Sequence, residues 1–132
     1  MLVDAAVFAR GGLFPEEYFF SFEDLAFCLQ ARGAGIASGI AGRAVAYHEG
    51  GRTMGAGTPR RLYYAARNHL RLAAVIRDGG RIATAGQTAS IVALNLAHAV
   101  RAPGANVAVR LAAVSRGIRD HLRGRYGPDP AR

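Results

Sequence analysis

Apolar positions fall at helical spacing in three places along this chain. Leu62, Ala66, Leu70, Ala73 and Ile76 form one stripe with steps of three and four, the mark of an amphipathic helix. Thr58 before Pro59 is a good start for it, an N-cap followed by proline at the first helical position. The helix is predicted to run to about Arg77, where Gly79-Gly80 ends it, with Arg60, Arg67 and Arg71 together on another face. Val107, Leu111, Val114, Ile118 and Leu122 make a second stripe, predicting a helix over residues 105–123 after a Pro103-Gly104 turn. The third place is Phe22 or Glu23 to Arg32, with Leu25, Cys28 and Leu29 inward and Gly33 and Gly35 as the stop.

The other segments read differently. Residues 2–9 predict a strand entering a short helix, broken by Gly11-Gly12, and residues 13–17 predict a turn. Residues 43–48, Arg-Ala-Val-Ala-Tyr-His, predict a short strand, and residues 49–57 a glycine-rich loop. Residues 82–100 carry no Asp, Glu, Lys or Arg. That length approaches a bilayer span, but Gln87, Asn95, His98 and many alanines make it a poor one. A buried or interfacial helix is expected there. No internal repeat is visible.

A chain of 132 residues suits one domain, and its 51% hydrophobic content argues against disorder. The net charge of +8 is unevenly spread. Residues 1–50 hold six acids against three arginines, a net of −3, and residues 51–132 hold fourteen arginines against three acids, a net of +11. There is no lysine. Arginine favours bidentate contact with phosphate, so the basic half predicts an anionic partner: a nucleotide diphosphate, an anionic membrane surface or a nucleic acid. The C-terminal basic stretch after Tyr63-Tyr64 has almost no aromatic interleaving beyond Tyr126 and no nucleic-acid-binding module pattern, so nucleic acid is not expected. Arg110, Arg116, Arg119 and Arg123 instead make the last helix a basic amphipathic one, able to lie on an anionic membrane. Cys28 is the only cysteine, which excludes an internal disulfide and fits a reducing cytoplasm. No signal peptide is visible at Met1.

Candidate chemistry gathers at Glu23-Asp24, adjacent carboxylates after the aromatic run Tyr18-Phe19-Phe20-Ser21-Phe22. At the rim of a pocket one of them could serve as general base; the plainer reading is acids favouring the positive end of a helix. Tyr47-His48-Glu49-Gly50-Gly51 places a histidine before a glycine turn, and with the carboxylate pair outlines a sugar-transfer site.

These motifs occur in a recognisable order: Gly12-Leu13-Phe14-Pro15-Glu16-Glu17-Tyr18-Phe19-Phe20, Phe22-Glu23-Asp24, Cys28-Leu29-Gln30-Ala31-Arg32-Gly33-Ala34-Gly35, Tyr47-His48-Glu49-Gly50-Gly51 and Tyr63-Tyr64-Ala65-Ala66-Arg67-Asn68. The series resembles the C-terminal half of a family 2 glycosyltransferase of the bacterial rhamnosyltransferase-like kind. The resemblance implies an α/β fold: a partial GT-A domain over residues 1–57, then a helical basic extension over 58–132. It implies inverting transfer of a sugar from a nucleotide-sugar donor to an acceptor hydroxyl, in cell-envelope polysaccharide or glycolipid synthesis. Asp24 would be the catalytic base with Glu23 beside it. His48 would sit near a divalent metal, Mg or Mn, and the diphosphate. Tyr63, Tyr64, Arg67 and Asn68 would support the substrate site. The acceptor is expected to be lipid-linked and the location cytoplasmic, on the inner face of the membrane.

Ala26 and Gln30 stand where such enzymes usually carry an acid and an arginine, and no Asp-x-Asp metal motif is present. The resemblance therefore implies a fragment, a mis-started reading frame or one piece of a split enzyme, inactive without a partner supplying the donor half. Two rivals accompany it. One is a non-catalytic, membrane-peripheral basic helical module with residues 82–123 as its working part. The other is a degenerate remnant that folds poorly, or that pairs with itself as a homo-oligomer to cover an exposed sheet edge.

Overall fold

The computed structural model describes residues 1–47, 54, 55, 57–76 and 80–129. Among them are five α-helices and one 3-10 turn: α1 (Ala5–Gly11), the turn Glu16–Tyr18, α2 (Glu23–Gly33), α3 (Pro59–Val75), α4 (Arg81–Arg101) and α5 (Val107–Leu122). Three helices carry a side-chain N-cap, which satisfies an otherwise unpaired amide of the first turn. Asp4 accepts from Ala6 N at 2.9 Å and Asn106 from Ala108 N at 2.8 Å. Thr58 accepts from Arg61 N at 3.4 Å, with Pro59 in the first turn as the sequence predicts.

The core sits between α3, α4 and α5. Leu62 and Ala66 of α3 meet Ala99 of α4 and Val114 of α5, with Leu96, Leu111 and Ile118 around them. Gly117 lets α5 lie directly on α3, because a methyl group there would fall inside contact distance of the Tyr63 carbonyl oxygen. Arg110 closes the far end of the α4–α5 hairpin. Its Nε donates to Ala99 O at 2.7 Å and its Nη2 to Val100 O at 3.1 Å, filling carbonyls that the end of α4 leaves open. The N-terminal third packs on α3 through a second cluster of Tyr18, Ala26 and Leu72, flanked by Phe22 and Leu29. Phe8 of α1, Phe27 of α2 and Phe14 form an aromatic cluster in which Phe14 and Phe27 stack with centroids 4.4 Å apart and Phe8 meets both rings tilted.

The architecture corrects the expected α/β class, because no strand exists among the described residues. Residues 2–9 enter α1 without a strand, and residues 44–47 are irregular and exposed. A strand needs a neighbour to satisfy its backbone, and no described segment lies alongside. A partial GT-A sheet is therefore not what this chain forms. The division at residues 57 and 58 is bridged by the packing of Tyr18 and Ala26 on Leu72.

Two inner faces also differ from the pattern. On α2 the buried residues are Ala26, Phe27 and Ala31, whereas Leu25 is 45% exposed and Cys28 and Leu29 are half-buried. The buried face thus lies about one residue from the predicted one, with the Phe27 ring stacked on Phe14. On α3 and α5 the stripes are buried in the middle and open at the ends, at Ile76, Val107 and Leu122.

Candidate functional site

The most constrained stretch is Phe19–Phe22. Phe19, Ser21 and Phe22 have φ of 57°, 65° and 70°, left-handed values that cost a non-glycine residue about 1–3 kcal/mol each. Asn68 on α3 holds the segment in place. Its Nδ2 donates to Tyr18 O at 2.8 Å, Phe20 O at 2.7 Å and Ser21 O at 3.2 Å.

Arg67 completes the clamp. Its Nε donates to Asn68 Oδ1 at 3.0 Å. Nη1 donates to Gly127 O at 2.8 Å and Tyr63 Oη at 3.3 Å, and Nη2 to Glu17 O and Tyr18 O, each at 3.2 Å. A guanidinium has five N–H groups, and five acceptors surround this one. Its carbon lies 5.3, 5.0 and 5.8 Å from the ring centroids of Tyr63, Tyr64 and Tyr126, within cation–π range. Arg67 is 1% exposed and Asn68 0%, so their polar atoms work inside the fold.

The tyrosines extend the clamp to the C-terminal segment. Tyr63 Oη donates to Asp120 Oδ2 at 2.9 Å, and Tyr64 Oη accepts from Asp129 N at 2.6 Å. Arg116 grips the Asp129 carboxylate with two bonds of 2.5 and 2.8 Å. Gly127 N donates to Glu17 O at 2.8 Å. Burial raises the Tyr63 pKa above its usual 10, and the hydrogen bond to Asp120 adds to the rise. The hydroxyl therefore stays protonated and able to donate. What this arrangement does chemically is join three separate pieces of chain: residues 17–21, α3 and residues 126–129.

The four residues proposed for substrate contact, Tyr63, Tyr64, Arg67 and Asn68, thus come together, with exposures of 0–1% and internal hydrogen-bond partners. Glu23 and Asp24 form the first turn of α2. Asp24 is exposed and its Oδ1 accepts from Leu25 N at 2.8 Å. Glu23 is half-buried, with Oε2 buried and without a hydrogen-bond partner among the described residues. His48 lies outside the described residues. Among the described residues no three His, Cys, Asp or Glu side chains gather, so none of them forms a set fit for the Mg or Mn that the resemblance implied.

The pattern grouped Arg67 with Arg60 and Arg71 on one face and Arg110 with the basic face of the last helix, yet Arg67 and Arg110 are both buried. The available signal was spacing: Tyr63–Arg67 and Tyr64–Asn68 are each four apart, one above the other on a helix.

A second feature lies on α4. α4 bears no Asp, Glu, Lys or Arg from Ile82 to Val100, and of its residues only Ile91 and Ala99 are buried. Ile82 is 90% exposed, Leu94 63% and Val100 55%. Arg81 and Arg101 bracket this face and are exposed. Beyond it, α5 exposes Val107, Val109 and Leu122, and Arg119, Arg123 and Arg125 are exposed near its end. No described helix is long and apolar enough to cross a membrane.

No protein-family model, no curated protein and no solved structure matches this chain. With the all-helical fold, this overturns the resemblance to a family 2 glycosyltransferase. The short motifs that suggested it are built into a helical core: Tyr63-Tyr64 and Arg67-Asn68 lock loops, and Phe22-Glu23-Asp24 opens α2.

Proposed function

We propose that this chain is a membrane-peripheral helical module that docks on an anionic lipid surface through α4. The observation that carries the reading is the long uncharged exposed face of α4 with an arginine at each end. An interfacial helix needs an apolar side to enter the acyl boundary and cations to meet the headgroups. Ile82, Leu94 and Val100 supply the first. Arg81 and Arg101, with Arg119, Arg123 and Arg125 of the hairpin, supply the second. Each basic residue near an anionic surface contributes about 1 kcal/mol, an attraction that salt screens. The leaflet such a surface fits is the cytoplasmic one, where anionic lipids concentrate. The clamp at Arg67–Asn68 serves this reading by holding the bundle that presents α4.

Co-sedimentation with vesicles of phosphatidylcholine, with and without phosphatidylglycerol, tests the proposal. Binding is expected with the anionic lipid and is lost at high salt. Leu94→Asp with Ile82→Asp, both exposed, is expected to abolish binding while leaving helix content unchanged. Absence of binding to anionic vesicles at low salt would remove the proposal.

A further inference from the structure

We propose that the first half of α4, from Arg81 to Ser90, is a conditional helix that loses its order in water and regains it on an anionic lipid surface. The proposal rests on the docking reading above and adds the folding event that accompanies docking. Every residue from Arg81 to Ser90 is exposed except the half-buried Thr84, so this stretch stands clear of the bundle on all its sides. A methyl group added at Gly86 would meet nothing within 4 Å. Its side-chain hydrogen bonds stay within the helix: Thr88 Oγ1 donates to Thr84 O and Ser90 Oγ to Gly86 O, each at 2.9 Å. Burial begins only at Ile91.

Nothing local replaces the missing packing. Gly80 offers no side-chain cap, and the first turn carries Arg81 and no acid, the wrong sign for the positive end of the helix dipole. No ion pair between neighbouring turns can form, because residues 82–100 hold no Asp, Glu, Lys or Arg. Gly86 is the costliest helix residue after proline, and Ile82, Thr84, Thr88 and Ser90 are weak helix formers. Hydroxyls that bond back to the carbonyl four residues earlier weaken a helix further. Helices shorter than about 12–15 residues are marginal in water without tertiary packing, even when rich in alanine.

The sequence also says what kind of surface supplies the packing. Buried Ile91 and Ala99, with Asn95 beside His69 of α3, mark the row of α4 that faces the bundle. At steps of three and four that row runs back through Thr88 and Thr84. Two threonines make a poor seat for a further helix of a bundle. The opposite side carries Ile82, Ala83, Gly86, Ala93 and Leu94, all uncharged and exposed. A helix lying at the acyl boundary has this layout. There an open amide finds little water to bond, so lipid contact favours the helix over the coil and draws the minor helical state out of the ensemble.

Amide hydrogen exchange on the full chain, in buffer and with phosphatidylglycerol vesicles, tests the coupling, while co-sedimentation of the same samples reports binding. In buffer the amides of residues 84–90 are expected to exchange at close to the unfolded rate and those of 95–101 to be protected. Vesicles are expected to slow residues 84–90 by about tenfold or more and to raise helix content by circular dichroism. Thr84→Ala with Thr88→Ala raises helix propensity on the side away from lipid, so it should increase helix in buffer and tighten binding about two- to fivefold. Protection of 84–90 in buffer equal to that of 95–101 would overturn the proposal. So would protection that rises with protein concentration in the absence of vesicles, which would make a second copy the partner. Sedimentation with anionic vesicles but without new protection overturns it and leaves the docking reading standing. Failure to sediment removes the docking reading, and this proposal with it.

Discussion

Replacing Arg67 by alanine tests the clamp that joins the two ends of the chain to α3. Some of its acceptors keep other donors. Glu17 O still receives Gly127 N, and Tyr18 O still receives Asn68 Nδ2. Gly127 O and Asn68 Oδ1 lose the bonds Arg67 gives them, and a buried acceptor left unpaired costs about 1–3 kcal/mol. The contacts of the guanidinium with three tyrosine rings disappear as well, each contributing about 0.5–1 kcal/mol. Alanine cannot fill the space. The low end of this sum is about 4 kcal/mol, already a large part of the stability of a small domain. With an unfolding entropy of about 0.3 kcal/mol/K for a chain this long, the midpoint should fall by about 14 °C. Circular dichroism at the helix band during heating reads it. Arg67→Lys should recover less than half, because lysine keeps the charge but has no fork. Amide exchange at Gly127 and Asp129 should accelerate in both variants. A loss under about 1 kcal/mol in Arg67→Ala would refute the clamp.

Gly117→Ala should cost about 1–3 kcal/mol in urea unfolding, since the added methyl meets the Tyr63 carbonyl; an unchanged midpoint would mean α3 and α5 do not pack this closely. Arg110→Ala should free the last carbonyls of α4 and speed amide exchange there, with about 1–3 kcal/mol lost overall. His69 stacks on Phe22 with centroids 5.3 Å apart, and burial lowers its pKa below 6.5. Its protonation therefore favours the unfolded chain: its contribution is intact above about pH 6.5 and declines as pH falls through the lowered folded value. A His69→Phe variant should show a flatter stability profile below that pH, and an identical profile would contradict the assignment.

Much of the helical half was legible. Thr58-Pro59 and Pro103-Gly104 mark real boundaries, and the stripes through Leu62, Ala66 and Val114 point into the core. Hidden from the pattern was the use of arginine. Periodicity treats every charge as solvent-facing, whereas Arg67 and Arg110 are buried by giving their N–H groups to main-chain carbonyls that only the tertiary fold brings near. Residues 43–48 show the opposite failure: local propensity favoured a strand, but the described chain supplies no neighbour for residues 43–47. The resemblance failed because its motifs are short and aromatic, and such residues build helical packing equally well. Asp120 and Asp129, which the pattern left without roles, anchor the clamp through Tyr63 and Arg116.

The chain contains no tryptophan, so one placed on α4 gives an unambiguous signal. Leu94→Trp, at a site 63% exposed, should emit as a water-exposed indole in buffer. On adding phosphatidylglycerol vesicles its emission should shift to the blue and become accessible to quenchers carried on the acyl chains, reversing as salt is raised. Emission that stays red at low salt, with helix content intact, would contradict the proposed membrane contact.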